Sequence, residues 1–186
     1  MKIFAETERL ILREIAESDE EGLFRLDSNP EVHRYLGNNP VKEKSQIREV
    51  IKFIRQQYTD FGIGRWAVIE KESGNFIGWC GMKYINEETN GHINFHDIGY
   101  RLIQEYWGKG YATESAKAAL AYAFIEMKLT DIYGMSHVEN QGSINVLTKL
   151  GLQITGTFED NGLLINFHHL SGKHWENSFS SLKPFH

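Results

Sequence analysis

The sequence predicts an α/β fold of the α+β kind, a single domain with a central mixed, mostly antiparallel sheet flanked by helices. Three observations carry that prediction. Trp66 to Glu70 and Phe76 to Ile85 read as strands, and only Lys71 and the turn residues Glu72-Ser73-Gly74-Asn75 separate them, so they form an antiparallel hairpin. A further strand run from about Asn94 to Ile103 leads through Trp107-Gly108-Lys109-Gly110 into a helical pattern and then into the strand run Asp131 to His137. That order is a β-α-β unit, whose strands must be parallel. Finally, 186 residues is the length of one domain with a sizeable core.

Taken in order, Leu10 and Leu12 alternate with Ile11 and Arg13 and predict an early strand. Ser18-x-x-Glu21 has the pattern of a capping box and predicts a short helix running to about Leu26. Ile47, Val50, Ile51, Ile54 and Tyr58 fall at helical spacing and mark an amphipathic helix from about 43 to 58. The hairpin follows, then the polar loop Asn86 to Gly91. After the glycine loop, Ala116, Ala119, Leu120, Ala123, Phe124 and Met127 keep i, i+3, i+4 spacing, the strongest helical signal in the chain. A short helix is expected from Ser143 to Leu150, ended by Lys149 and Gly151. Closing strands are expected near 153–158 and 175–182. The three prolines, Pro30, Pro40 and Pro184, leave the whole stretch between Val41 and Lys183 free for regular structure.

Composition excludes several classes of function. Lys and Arg total 20 against 25 Asp and Glu, a formal charge of -5, the opposite of what a nucleic-acid-binding chain needs. The longest apolar run, Ala118 to Ile125, has eight residues, far below the roughly 18 of a membrane span. Glu6, Glu8 and Arg9 break up the region where a secretory leader would be continuous, so the chain is expected to be cytoplasmic. Cys80 stands alone, which leaves no intrachain disulfide and no zinc site needing two thiolates. His92, His96, His168, His169 and His174 show no metal-binding helical spacing, and no metal is expected.

Gly108-Lys109-Gly110 lies between a strand and a helix start, where free N–H groups and the helix dipole favour an anion, phosphate above all. The same glycines also suit a plain tight turn. No Gly-Lys-Ser/Thr occurs, so it is not a Walker loop, and Thr113 occupies the third small position of a dinucleotide fingerprint.

Gly99-Tyr100-Arg101-Leu102, then Tyr106-Trp107-Gly108-Lys109-Gly110-Tyr111-Ala112-Thr113-Glu114, closely resembles the acetyl-coenzyme A signature of the GNAT N-acetyltransferases. A second block, Asn140-x-x-Ser143-x-x-Val146-Leu147-x-Lys149-Leu150-Gly151, stands at the expected distance. Thr7-Glu8-Arg9-Leu10-Ile11-Leu12-Arg13, Pro30-Glu31-Val32 and Phe76-Ile77-Gly78 resemble the ribosomal-protein (Rim-type) branch, which acetylates protein N-termini. The resemblance implies one N-acetyltransferase domain over residues 1–186, with acetyl-coenzyme A as cosubstrate. It implies that Trp107, Gly108, Lys109, Gly110 and Tyr111, continuing into Ala112 and Thr113, cradle the pyrophosphate through backbone amides. Tyr100, Arg101 and Leu102 would run beside the pantetheine arm, with Asn140 and Ser143 near it. Glu105 stands where many members carry Gln or Arg, Leu147 where many carry Tyr, and His174-Trp175-Glu176-Asn177 departs from the usual Trp-x-Asp ending.

The chemistry requires an uncharged amine, donors for the oxyanion and a proton for the departing thiolate. Asp97, two residues before Gly99, stands where relatives of this branch often carry Glu, and it is expected to take the ammonium proton, with Ser143 assisting the sulphur. Strand alternation equally allows Asp97 to be a solvated carboxylate, and Ser143 or Asn140 to be a helix cap. His96 is the rival base, on the other side of the strand. The expected acceptor is an amine, a protein N-terminus or a small molecule, with no nucleic acid or membrane partner and with a homodimer left open. The competing readings are a small-amine acetyltransferase, a non-catalytic acyl-coenzyme A binding module and, more weakly, a nucleotide-binding oxidoreductase domain.

Overall fold

The computed structural model describes residues 1–179. Strands β1 (Ile3–Glu6) and β2 (Leu10–Glu14) precede a 3-10 turn (Glu17–Asp19) and helices α1 (Glu20–Asp27), α2 (Pro30–His33) and α3 (Lys44–Phe61). Strands β3 (Arg65–Glu70), β4 (Phe76–Ile85) and β5 (Phe95–Leu102) lead to helix α4 (Tyr111–Ala121), which runs on into a π-helical turn (Tyr122–Glu126). Strand β6 (Asp131–His137), helix α5 (Gln141–Lys149), strands β7 (Gln153–Asp160) and β8 (Leu163–Ser171) and helix α6 (Gly172–Phe179) complete it. The strands form one sheet in the order β1-β2-β3-β4-β5-β6-β8-β7. Only β5 and β6 pair in parallel; every other neighbour is antiparallel. The mixed, mostly antiparallel sheet is therefore as expected.

Local chemistry explains the helices. In α3, Ile47, Ile51 and Ile54 are buried, the Gln46 side chain accepts from the Lys42 and Glu43 N–H groups, and Gly62 ends the helix in the left-handed region. In α4, Ala116, Ala118, Ala119 and Ala121 are buried, and such small side chains let the helix lie close against β4 and β5.

Two expectations are corrected. Ser18 caps nothing; Asp19 does the local work, accepting from the Ala16 N–H at 2.8 Å while Arg13 holds its carboxylate. The expected closing strand at 175–182 is instead the helix α6 through residue 179, with 180–182 outside the described residues. The strand that pairs with β6 and β7 is β8, which buries Asn166 and His168 beside Phe167 and Leu170 and so lacks the polar alternation of a one-faced strand. Strand β1 and the turn α2 also went unread, both too short to show a period.

Alternation and cross-strand pairing divide the residues of the sheet centre between two faces. Cys80 pairs with Tyr100, and the Cys80 thiol is bonded to Ser115, which places both on the face covered by α4. Trp79, Lys83, Asp97 and Arg101 lie on the opposite face, where Arg101 meets Asp27 of α1 and Lys83 lies over Phe53 of α3.

Candidate active site

Gly108 and Gly110 have φ of +73° and +83°, a region that side chains bearing a Cβ enter at a cost. The loop they shape delivers the chain into α4 with Gly110 as its N-cap, so no side chain caps the helix. Its first N–H groups are left for an outside acceptor, and the space above both glycines is open, with Arg9 Nη2 as the one atom within 4 Å of a Cβ built on Gly110. A diphosphate suits this cradle. Around it, Trp107 is 46% exposed and folds its indole Nε1 back onto Leu102 O at 2.7 Å, while Lys109 lies over the Tyr106 ring. Tyr111 is buried and its hydroxyl donates to Glu70; Ala112 and Thr113 are half-buried.

Sequence reasoning missed what holds the loop. Glu114, in the first turn of α4, accepts from Thr7 Oγ1 at 2.5 Å, Arg9 N at 3.1 Å and Arg9 Nε at 2.7 Å. Arg9 Nη1 then donates to Lys109 O at 3.0 Å, and its guanidinium lies 4.3 Å from the Tyr111 ring centroid. Burial works against the Glu114 charge, yet these donors hold its carboxyl below the ordinary carboxylate range. The Thr7-x-Arg9 pair and the Glu114 that ends the signature block are thus two halves of one clamp. Their presence in two motif blocks was the available signal, but spacing did not say that they meet.

The second part of the site is a split in the sheet. Strands β5 and β6 pair only at Asp97–Tyr133 and Ile98–Gly134, so the edge of β5 from Gly99 to Leu102 turns away from β6 without ladder partners there. Extended backbone with free N–H and C=O groups beside a cleft can pair with an amide-bearing chain. Tyr100 reaches from this edge to α5, its hydroxyl 2.9 Å from Ser143 O and 3.1 Å from Ser143 Oγ. Asn140 is the N-cap of α5 and accepts from the Ser143 N–H at 3.1 Å. Ser143 is therefore the residue capped, not the cap, and its hydroxyl faces the Tyr100 phenol.

On the other face, Asp97 is buried and bonded to Arg65 Nη2, whose Nη1 also donates to Asp97 O at 2.9 Å. Asp97 Oδ1 has no hydrogen-bond partner among the described residues. Burial pushes the Asp97 carboxyl up, against the pull of Arg65 and Lys83. Asp97 is thus not the solvated carboxylate that alternation alone allowed. Gly99 makes room for this arrangement: a Cβ there would stand 2.7 Å from Arg65 Nη2. The Arg101 side chain is not in the cleft; it crosses to the Asp97 face and bonds Asp27 Oδ1 at 2.6 Å. Glu105 pairs with Arg25, and His96, across from Tyr84, is held neutral by burial, its pKa lowered. Cys80 is fully buried, its thiol pushed up to about 12 by burial, which suits no nucleophile.

A family model described as an acetyltransferase (GNAT) domain matches residues 9–153, a stretch that holds the glycine loop at the helix N-terminus and the split parallel strand pair. The chain belongs to the GNAT acetyltransferases. It is therefore an acetyl-coenzyme A-dependent N-acetyltransferase, and the cradle and the cleft fit that cosubstrate. An N-acetyltransferase p20 of Bacillus licheniformis, itself uncharacterised, is 35% identical over 83% of this chain and 84% of its own. The spermidine N(1)-acetyltransferase of Escherichia coli K12 is 30% identical over 78% of this chain and 73% of its own. Among solved structures, a ribosomal L7/L12 α-N-protein acetyltransferase in complex with coenzyme A superposes with a TM-score of 0.77 at 19% identity, covering 91% of this chain and 98% of that one. No helix among the described residues is long and apolar enough to cross a membrane.

Proposed function

We propose that this GNAT domain transfers the acetyl group to a protein N-terminal α-amine, by direct attack of the amine on the thioester. In this reading the loop from Trp107 to Tyr111, with Ala112 and Thr113, receives the pyrophosphate, and the free edge from Tyr100 to Leu102 receives the pantetheine amides. Asp97 takes the ammonium proton, directly or through water, and Ser143, in contact with the Tyr100 phenol, assists the departing thiolate, with Asn140 fixing the turn that carries it. The observation that carries the reading is the split between β5 and β6: a donor held on the α4 face reaches an acceptor approaching from the Asp97 face without a covalent acetyl-enzyme. Support for the α-amine comes from the ion pairs of that face. Its buried carboxylates, Asp19, Asp27 and Asp97, are matched by Arg13, Arg101 and Arg65, which leaves little to hold a polycation.

The second reading, a small polyamine acceptor, is favoured by the 30% identity to the spermidine enzyme. Mass spectrometry of peptides and of spermidine, each incubated with protein and acetyl-coenzyme A, tests the choice. Acetylation of peptide α-amines is expected; acetylation confined to spermidine reverses it.

A further inference from the structure

The face that carries Asp97 is lined by ion pairs, in contrast to the acidic excess of the whole chain. The protein holds five more acidic than basic residues. At the centre of this face, however, two guanidiniums each meet a buried carboxylate, Arg65 with Asp97 and Arg101 with Asp27, while Lys83 lies near Asp97 and Glu87 and Arg13 is paired with Asp19. His33, the remaining titratable neighbour of Asp27, is kept neutral by burial. The two guanidiniums are not equivalent. Arg65 is committed, with bonds to Gly81 O, Asp97 O and the Asp97 carboxylate, and its side chain is 13% exposed. Arg101 makes a single hydrogen bond among the described residues, through Nη1 to Asp27, and its side chain is 24% exposed. The Trp79 indole, with the Arg101 Cζ 5.1 Å from its ring centroid, is a flat support that holds this guanidinium in place.

Resting on the α-amine reading above, we propose that Arg101 is a specificity residue that receives a carboxylate of the acceptor, so that the preferred substrate is a peptide N-terminus followed closely by an acidic side chain. A guanidinium with one nitrogen engaged keeps donors in a planar fork, the geometry that recognises a carboxylate. Half-buried on a sheet face and supported by an aromatic ring, it loses little entropy on doing so. Arg101 lies four residues along β5 from Asp97, on the same face, so an extended peptide whose amine reaches Asp97 brings its next side chains toward Arg101. The same pairing opposes a polyamine, since the buried carboxylates of this face, Asp19, Asp27 and Asp97, already have arginine partners.

The test compares kcat/KM for peptides of one length whose second and third residues are acidic, neutral or basic, alongside spermidine and free aspartate. The acidic peptides are expected to be favoured over the neutral ones by roughly tenfold, the value of one charge-assisted contact, and over the basic ones by more. The preference should shrink as salt is raised, a measurement that needs no variant. Arg101→Lys keeps the Asp27 ion pair but loses the fork, and it should narrow the ratio of acidic to neutral peptides. Equal rates for the three peptide classes, or an unchanged ratio in Arg101→Lys, overturn the inference while leaving the α-amine reading intact. Acetylation of free aspartate in place of peptides also overturns it. If no peptide α-amine is acetylated at all, it is the α-amine reading that fails.

Discussion

Removing the Arg9 guanidinium from the phosphate loop tests whether the clamp sets the geometry of the acetyl-coenzyme A site. Arg9→Ala deletes the bonds to Glu114 and to Lys109 O, and it leaves Glu114, whose side chain is only 19% exposed, without its cation. Hydrogen bonds involving a charged group contribute about 1.5–3 kcal/mol each when well shielded. Arg9 is 42% exposed, so solvent screening reduces each to about 1 kcal/mol, and the pair to about 2 kcal/mol. If half of this falls on the loop, the affinity for coenzyme A drops by roughly fivefold. The whole lowers the thermal midpoint by about 4–8 °C for a domain of this size. Titration calorimetry with coenzyme A reads the first effect and thermal unfolding the second. Arg9→Lys, which keeps the charge but cannot span both acceptors, should fall between. The acceptor KM should not move, because the clamp lies on the α4 side of the split. The reasoning is refuted if Arg9→Ala loses stability yet binds coenzyme A as tightly as the unchanged protein, since the loop would then hold its shape unaided.

Four further variants have defined outcomes. Gly110→Val places a β-branched residue at φ +83°, where only Arg9 Nη2 is near, so the fold should survive with a modest loss of midpoint while the stabilisation by acetyl-coenzyme A disappears; thermal scans with and without ligand check it. Asp97→Asn removes charge and basicity, and it should lower kcat/KM by ~10²-fold or more, a deficit that shrinks with rising pH as the amine deprotonates unaided; a flat ratio of the two pH-rate profiles moves the base elsewhere. Ser143→Ala should cost less, since water can protonate a thiolate, and coenzyme A binding should persist in both variants. His168 is fully buried, bonds Ser136 Oγ at 2.9 Å through Nε2, and has its pKa lowered by burial from the ordinary 6.5. The unfolded chain therefore binds a proton below pH 6.5 that the folded protein refuses, so stability falls as pH drops through that value. Denaturant titrations from pH 8 to 5 should show a shallower decline in His168→Gln, and equal slopes would remove His168 as the cause.

The residues that decide the acceptor side carry a tension that the ion pairs resolve. A carboxylate as enclosed as Asp97 takes up charge reluctantly, its pKa raised on balance, and Arg65 beside it offsets part of the burial while leaving Oδ1 free. The arrangement holds one oxygen rigidly and leaves the other without a partner among the described residues, as the proposed base requires. Burial of Lys83 lowers its pKa, so the positive charge of this face rests chiefly on its arginines, which stay charged in any surroundings.

Local patterns were enough for the sheet's centre and for a loop that favours an anion, and the resemblance of that loop's residues to the GNAT signature supplied the cosubstrate. The hairpin from Arg65 to Ile85, the strand ending at Leu102, the glycine loop and the helix behind it each follow from short-range periodicity and turn chemistry, which act within a few residues. The anion-binding character of the loop is equally local, because it comes from two residues with positive φ and an uncapped helix start. What the chain could not show was which distant groups meet. Arg65 and Asp97 are 32 residues apart, Arg9 and Glu114 105, and Arg101 and Asp27 74. A period of two states that Asp97 and Arg101 share a face, but not which helix covers it or what charge opposes it. Those follow from the order of strands in the sheet and from the place where β5 leaves β6, and long-range pairing of that kind leaves no mark in the spacing of neighbours. Strand β8 went unread for a related reason: with Asn166 and His168 satisfied inside the sheet, its polar residues are buried by partners from other strands, and only the tertiary structure supplies those.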